Sequence, residues 1–329
     1  MCSSDLTLSA AGASFPSKVY QRWARQYAEL SGVRIDYKPT GSGDGIQQAI
    51  ARKVPLAGTD APLKPEDLSR HRLVQLPMLV GGITPVVNLP GLDGLRLSGE
   101  LLADIMLGAV ARWDDPRIAE LNRGLNLPAR RIVRVVRADK SGTSEGFTGY
   151  LAGASAAFRT GPGQSSLPAW PGEVQAAPGN DGVSGQVRAT PGAIGYVSHD
   201  RVESDRLSAV ALRNRSGQWV SASEAGFRAA IFNSDLNRQG DDLAPLLDRA
   251  GQESWPITMT SFLLLDAQPA TAADVEAAMR FVWWCFMHGD QLTRGTGFAP
   301  LPVSVQAKLV ARLGAVAPRQ GARPSYQQY

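Results

Sequence analysis

The sequence is short of the residues on which most enzyme chemistry is built. Only two cysteines occur in 329 residues, Cys2 and Cys285, too few for a disulfide framework or a clustered metal site. Cys285 falls inside a helical pattern and reads as a small buried apolar residue, so cysteine usage leaves the compartment open. Histidine is as scarce: His71, His199 and His288 stand in three different contexts, none beside a Ser or Cys in a nucleophile-and-base pattern. There is no HExxH motif and no Cys/His cluster, and the Gly-rich loops lack the Walker lysine and the dinucleotide spacing. Neither a catalytic residue, a metal nor a cofactor is expected, although acids such as Asp60 and Asp139 could in principle act as bases.

Charge of one sign is also in short supply. The formal net charge is +4, with 19% charged residues and 43% apolar ones, which excludes a disordered chain. Without a dense Lys/Arg block this argues against nucleic acid as the main partner. So small an excess would favour the approach of a small anion, and an ordinary solvated surface explains it equally well. No apolar run is long enough to span a bilayer, and no charged-then-apolar leader opens the chain, so the protein is either cytosolic or has lost a leader. Met1-Cys2-Ser3-Ser4-Asp5 suits the remnant of a lipoprotein leader cut before its cysteine, or an accidental tag residue. Residues 1–5 read as a tether in either case.

What the chain does have is alternation of strands and helices joined by small polar loops. An apolar alternation at 6–10 runs into Ala11-Gly12-Ala13-Ser14-Phe15-Pro16, and Val19, Tyr20, Trp23, Tyr27 and Leu30 then recur at helical spacing. The pattern repeats: a strand at 33–37, the loop Thr40-Gly41-Ser42-Gly43-Asp44-Gly45, and a helix at 46–53. It returns at 132–136, where Arg137-Ala138-Asp139-Lys140-Ser141-Gly142-Thr143-Ser144 hands a strand over to a helix carrying Phe147, Tyr150 and Leu151. Each junction offers unpartnered N–H groups at a helix start, the positive end of a macrodipole and a hydroxyl, the makings of an anion cradle. Arg137 adds a planar fork of donors. Taken singly, Ser141 or Thr143 can equally be a helix cap and Ser42 part of a flexible turn. Asp60, at a strand end, reads locally as a turn former or cap.

Two apolar stretches mark passages between domains. One spans 73–87 with Gly81-Gly82 inside it, and the other is Trp255 to Leu265. They divide the chain into residues 6–82 with 259–329, and residues 83–258. Between them come helices at 98–107 and 116–121, a loop-like Gly/Pro/Ala/Ser stretch at 152–182 with a tight-turn signature at Gly179-Asn180-Asp181-Gly182, a strand at 193–197 and a helix at 223–232. Helices at 272–287 and 303–313 close the chain. The expected class is α/β, with mostly parallel sheets and helices on both faces. In such sheets ligands sit at the carboxyl ends of strands, where these loops lie.

In this order Gly12-Ala13-Ser14-Phe15-Pro16, Gly41-Ser42-Gly43, Asp60-Ala61-Pro62, Trp113-Asp114-Asp115, the 137–144 stretch, Gly179-Asn180-Asp181-Gly182, Pro191-Gly192-Ala193-Ile194-Gly195-Tyr196 and Trp255-Pro256-Ile257-Thr258 resemble the phosphate-binding proteins of bacterial Pst importers, which are ABC transporters. The likeness runs from about residue 6 to 313. It implies a two-lobed, hinge-closing periplasmic-binding-protein fold (type II), with inorganic phosphate bound at high affinity in the interdomain cleft and passed to membrane permease subunits by a periplasmic monomer, lipid-anchored if Cys2 is acylated. The implied contacts are Ser14, Phe15, Ser42, Asp60, Arg137, Ser141, Gly142 and Thr143, with Asp139 pairing the arginine. Asp44 departs from the family's small residue, and a carboxylate there would repel an anion unless it points outward or meets a cation. The alternatives are another oxyanion, a stand-alone phosphate scavenger or sensor, or a phosphoester hydrolase.

The chemistry of the residues fits phosphate. At neutral pH phosphate keeps at least one proton, so a buried site can offer many donors and one acceptor, the role open to Asp60. Sulfate would face that carboxylate with nothing to donate, and a buried polar group left unpaired costs about 1–3 kcal/mol or more.

Overall fold

The computed structural model describes residues 6–327; the tether at 1–5, with Cys2, lies outside the described residues. In chain order the elements are β1 (Thr7–Gly12), α1 (Ser17–Ser31), β2 (Arg34–Lys38), α2 (Ser42–Ile50), β3 (Leu56–Thr59), α3 (Pro65–His71), β4 (Leu73–Val87), β5 (Arg96–Leu97), α4 (Gly99–Leu107), α5 (Pro116–Leu121), β6 (Val133–Arg137), α6 (Gly142–Ala154), α7 (Ala156–Thr160), β7 (Gln175–Ala177), α8 (Gly179–Ala189), β8 (Ala193–Ser198), α9 (Asp200–Ser204), β9 (Ser208–Ala209), β10 (Ala211–Arg213), β11 (Trp219–Val220), α10 (Glu224–Phe232), α11 (Asp235–Gln239), β12 (Thr258–Asp266), α12 (Glu276–Thr293), β13 (Phe298–Ala299) and α13 (Val303–Gly314).

One hydrogen-bonded path joins the main strands in the order β2-β1-β3-β12-β4-β8-β6-β7. Pairing is parallel at its two ends, β1 with β2 and β3, and β6 with β8 and β7. There each strand is followed by a helix that carries the chain back. In the middle it is antiparallel, because β12 returns beside the outgoing β4 and β8 runs against β4 in turn. The sheet is therefore mixed, where the alternation alone implied mostly parallel strands.

The single strand β4 serves both ends. Its residues Leu73 to Gly82 pair with β12, and Ile83 to Val87 pair with β8. Gly81 and Gly82 sit where the partner changes, with aromatic rings pressed on them. A Cβ on Gly81 would come within 2.6 Å of Phe298 and 2.9 Å of Phe15, and one on Gly82 within 2.1 Å of Phe227 and 3.0 Å of Trp255. Trp255 also donates its indole N–H to the Ile83 carbonyl at 3.0 Å. A buried tryptophan usually finds such a partner, and here the bond ties the two passages together.

Local chemistry sets the helix starts. Ser98, Ser141, Ser155 and Ser223 each accept a backbone N–H from three residues on, and Asp115 caps α5. Two readings change. The loop-like stretch at 152–182 contains α7 and β7, and Gly179-Asn180-Asp181-Gly182 is the first turn of α8 rather than a tight turn. Gly, Asn and Asp suit both settings, since each satisfies exposed backbone groups through short side chains or none. Cys285 is buried at 2% exposure on α12.

The start of α2 lies directly on the strand ends beneath it. A Cβ on Gly45 would meet the Gly58 carbonyl oxygen at 2.4 Å and Gly12 Cα at 2.7 Å, so only a residue without a side chain lets Ser42 reach its place. Gly45→Ala is expected to lower unfolding free energy by about 1–3 kcal/mol, as overpacking does. Chemical denaturation giving an unchanged midpoint would show that the helix can shift without loss.

Candidate anion-binding site

The β6 strand delivers Arg137 to the foot of α6. Ser141 caps that helix, its Oγ accepting from the Ser144 amide at 3.0 Å, so the first-turn amides of Gly142 and Thr143 have no partner within the helix. Those two N–H groups, at the positive end of the helix dipole, belong to the same strand-to-helix junction as the Arg137 guanidinium.

Arg137 is 3% exposed and forked on Asp139, with Nε to Oδ1 at 2.8 Å and Nη2 to Oδ2 at 2.5 Å. Asp139 Oδ1 also accepts the Gly179 amide at 3.1 Å. Burial pushes the Asp139 carboxyl up, but the hydrogen bonds and charge of Arg137 outweigh it and hold the group below the ordinary carboxylate range. Arg137 Nη1 is then left to turn inward, toward Thr143 Oγ1 at 3.4 Å.

Asn180 connects this group to the first junction of the chain, a role the sequence did not disclose. Fully buried at the start of α8, it donates its Nδ2 to Ser14 Oγ at 2.9 Å and to Thr143 Oγ1 at 3.1 Å, and its backbone N–H to Ser14 Oγ at 3.0 Å. Its Oδ1 is fixed by the Ser198 amide at 2.8 Å. The Ser14 hydroxyl thereby accepts two N–H bonds, as does that of Thr143, and among the described residues neither finds an acceptor for its own proton. Both are left as donors. The one available signal was the place of Asn180 within Gly179-Asn180-Asp181-Gly182, whose turn-like composition hid its helical geometry.

On the opposite wall Ser42 and Asp60 form a pair. Ser42 Oγ accepts the Asp60 amide at 3.0 Å and reaches Asp60 Oδ2 at 3.4 Å, while Ser261 donates to Asp60 Oδ1 at 2.7 Å. Ser261 was not foreseen. Burial raises the Asp60 carboxyl from 3.8 to about 7, against the lowering pull of the Ser261 hydrogen bond, the Arg137 charge, Ser42 and the Arg201 charge. A Cβ on Gly142 would come within 2.5 Å of Asp60 Cβ and 2.8 Å of Ser42 Oγ, so the α6 start and the Asp60 wall are in contact.

Ser14, Ser42, Asp60, Arg137, Asp139, Ser141, Gly142 and Thr143 thus share one neighbourhood. Phe15 is fully buried there, with its ring edge-on to Phe298 at 5.3 Å. Asp44 does not join them: it is exposed and accepts from Gln48 at 2.5 Å. A cleft of about 200 Å³ is lined by Asp60, Glu145, Gln164, Asp242 and Thr260. A larger groove of about 950 Å³, at Tyr27, Trp284 and His288, is lined by none of the residues just grouped. Among the described residues no group of three His, Cys, Asp or Glu side chains is placed to hold a metal ion, and no helix is long and apolar enough to cross a membrane.

The family model of the PBP superfamily domain matches residues 3–286. The phosphate-binding protein PstS of Pasteurella multocida is 38% identical over 308 residues, covering 93% of this chain and 89% of that protein. PstS of Haemophilus influenzae is 37% identical over 301 residues, covering 91% and 90%. Among solved structures, a high-affinity periplasmic phosphate-binding protein bound with phosphate superposes with a TM-score of 0.74 at 21% identity, covering 93% of each chain. The phosphate-binding protein from Stenotrophomonas maltophilia gives 0.70 at 21% identity, again covering 93% of each. At that identity the structural likeness speaks for the fold.

The raised Asp60 carboxyl has a definite signature in the unliganded chain. Because the folded state holds this proton more tightly than the unfolded state, the group's stabilising contribution is full below pH 3.8 and is lost as pH rises through about 7. Carbon-13 NMR should find one aspartate carboxyl titrating near pH 7 that disappears in Asp60→Asn; all aspartates titrating below pH 5 would contradict the assigned environment.

Proposed function

The chain belongs to the PBP superfamily and, within it, to the PstS phosphate-binding proteins, and on that premise we propose that it binds inorganic phosphate between Asp60 and Arg137 and passes it to an ABC-type phosphate importer. The observation that supports the site assignment is that Asp60, a buried acid with hydroxyl partners but, among the described residues, no cation at hydrogen-bond distance, lies against the α6 start, in the same neighbourhood as groups that have only protons to give. The donors are the hydroxyls of Ser14 and Thr143, the α6 first-turn amides and Arg137 Nη1. The Phe15 amide and, once its hydroxyl turns away from Asp60 Oδ2, Ser42 complete the ring, and Ser141 shapes it by capping α6.

Two consequences follow from the chemistry. Donors alone would accept any tetrahedral dianion. Asp60 asks in addition for a ligand oxygen that carries hydrogen, which phosphate has at neutral pH and sulfate lacks; a carboxylate facing sulfate keeps its full desolvation cost. The Arg137–Asp139 fork fixes the guanidinium while cancelling most of its charge, so recognition rests on directed hydrogen bonds.

The assigned lobes are residues 6–82 with 259–329, and residues 83–258, joined at β4 and at the entry to β12. The contacts between Ser14 and Asn180 and between the Gly43 amide and the Lys140 carbonyl, at 3.1 Å, join the two portions around the site. An anion gripped from both sides favours that shut arrangement because only there does it reach every donor. The shut form is then what the membrane permease subunits recognise. The protein acts without catalysis, as a monomer in the periplasm, with Cys2 as the point of lipid attachment if it is anchored.

Two substitutions test the assignment by calorimetry on ligand-stripped protein. Asp60→Asn should reduce the preference for phosphate over sulfate by tenfold or more while weakening phosphate binding less; an unchanged ratio of the two affinities would remove Asp60 from the acceptor role. Arg137→Ala should cost about 2–5 kcal/mol of phosphate affinity, as loss of a buried charged donor does, and near wild-type binding would place the ligand elsewhere.

A further inference from the structure

A second buried arginine lies behind the site. Arg201, on α9, has no exposed surface and is balanced by Asp200 at 2.8 Å and Asp181 at 3.0 Å. Nη1 also donates to Ser198 Oγ at 3.1 Å, and the guanidinium crosses to the Ser14–Ser17 turn: Nη2 to the Ser14 carbonyl at 3.1 Å and to Ser17 Oγ at 2.9 Å, and Nη1 to the Phe15 carbonyl at 3.2 Å. The Ser14 carbonyl also accepts the Ser17 hydroxyl at 2.8 Å and the Ser17 amide at 3.3 Å. One carbonyl oxygen thus receives three donors, one of them cationic.

A trans peptide is planar, with its C=O and the following N–H pointing in opposite directions, and the described residues contain no cis bond. Fixing the Ser14 carbonyl on Arg201 therefore fixes the Phe15 N–H on the other side of the same plane. Charge drawn toward a saturated carbonyl oxygen leaves its amide hydrogen more positive, as coupled hydrogen bonds do inside a protein. The same turn carries the Ser14 hydroxyl, held by Asn180 so that only its proton is free.

We propose that Arg201 is a positioning residue for the anion: acting through the Ser14–Phe15 peptide, it aims and polarises the Phe15 amide without touching the ligand. Ser17 shares the task from the same carbonyl. This rests on the phosphate reading above and adds a residue from outside the contact shell, which makes the outermost support of the site a guanidinium in the other portion of the chain. Lysine cannot replace it fully, because a point charge lacks the planar fork that spans two carbonyls and a hydroxyl.

The test uses the full chain stripped of ligand, with inorganic phosphate as the titrant, and compares wild type, Arg201→Lys and Ser17→Ala. Ser17→Ala removes one donor without stranding a buried charge, so it remains decisive if the arginine variant folds poorly. Arg201→Lys should weaken phosphate binding by at least tenfold and Ser17→Ala by severalfold, through faster release with the association rate unchanged. In the phosphate-saturated proteins the Phe15 amide proton should resonate downfield in wild type and move upfield in both variants, a change that loss of packing alone would not single out. Folded variants that bind within twofold of wild type, or a Phe15 resonance that stays in place, would overturn the proposal. Failure of wild type itself to bind phosphate would instead refute the functional reading on which it rests.

Discussion

The fork between Arg137 and Asp139 is the constraint from which the rest of the site takes its shape. Asp139 is held from three directions: by the guanidinium, by the Gly179 amide at the start of α8, and by the close approach of Gly41, where a Cβ would meet Oδ2 at 2.4 Å. One carboxylate therefore fixes the relative placement of β6, α8 and the loop before α2. Because the pair is close to neutral, it can be buried at tolerable desolvation cost, which an isolated guanidinium could not. The cluster that results is rich in dipoles and poor in net charge.

The supporting layer works by occupying lone pairs. Asn180 fills those of Ser14 and Thr143; Arg201 and Ser17 fill those of the Ser14 carbonyl. A hydroxyl or peptide so engaged on its acceptor side has one remaining polarity to offer, and the direction of that offer is set by covalent geometry. Asp60 is the counterpart, buried with hydroxyl donors on both oxygens and still raised to about 7.

How much of this was legible follows from the range of the interactions. Patterns confined to one stretch read well: the β1, α1 and β6, α6 junctions, the Ser141 cap, and the helical burial of Cys285 all depend on residues a few positions apart. The cluster from Ser14 to Thr143 was expected from the family resemblance; the rule that ligands gather at strand ends pointed only to the three loops of Ser14, Ser42 and Ser141/Thr143. Asn180 and Ser261 were missed because a lone Asn or Ser carries no periodic signal, and their partners lie 166 and 201 residues away in sequence. The α8 start was misread as a turn for the same local reason. The mixed sheet was missed because strand direction in β4 and β12 depends on which distant strands become neighbours.

The aromatic rings packed on Gly81 and Gly82 leave β4 little slack where its partner strand changes. Phe15, whose ring a Cβ on Gly81 would meet at 2.9 Å, also belongs to the peptide whose carbonyl is held by Arg201, so the crossing strand and the turn after β1 pack against one side chain. A twist of the strand at Gly81 would therefore bear directly on that ring. How far β4 can twist there is set by how tightly four rings pack around two glycines.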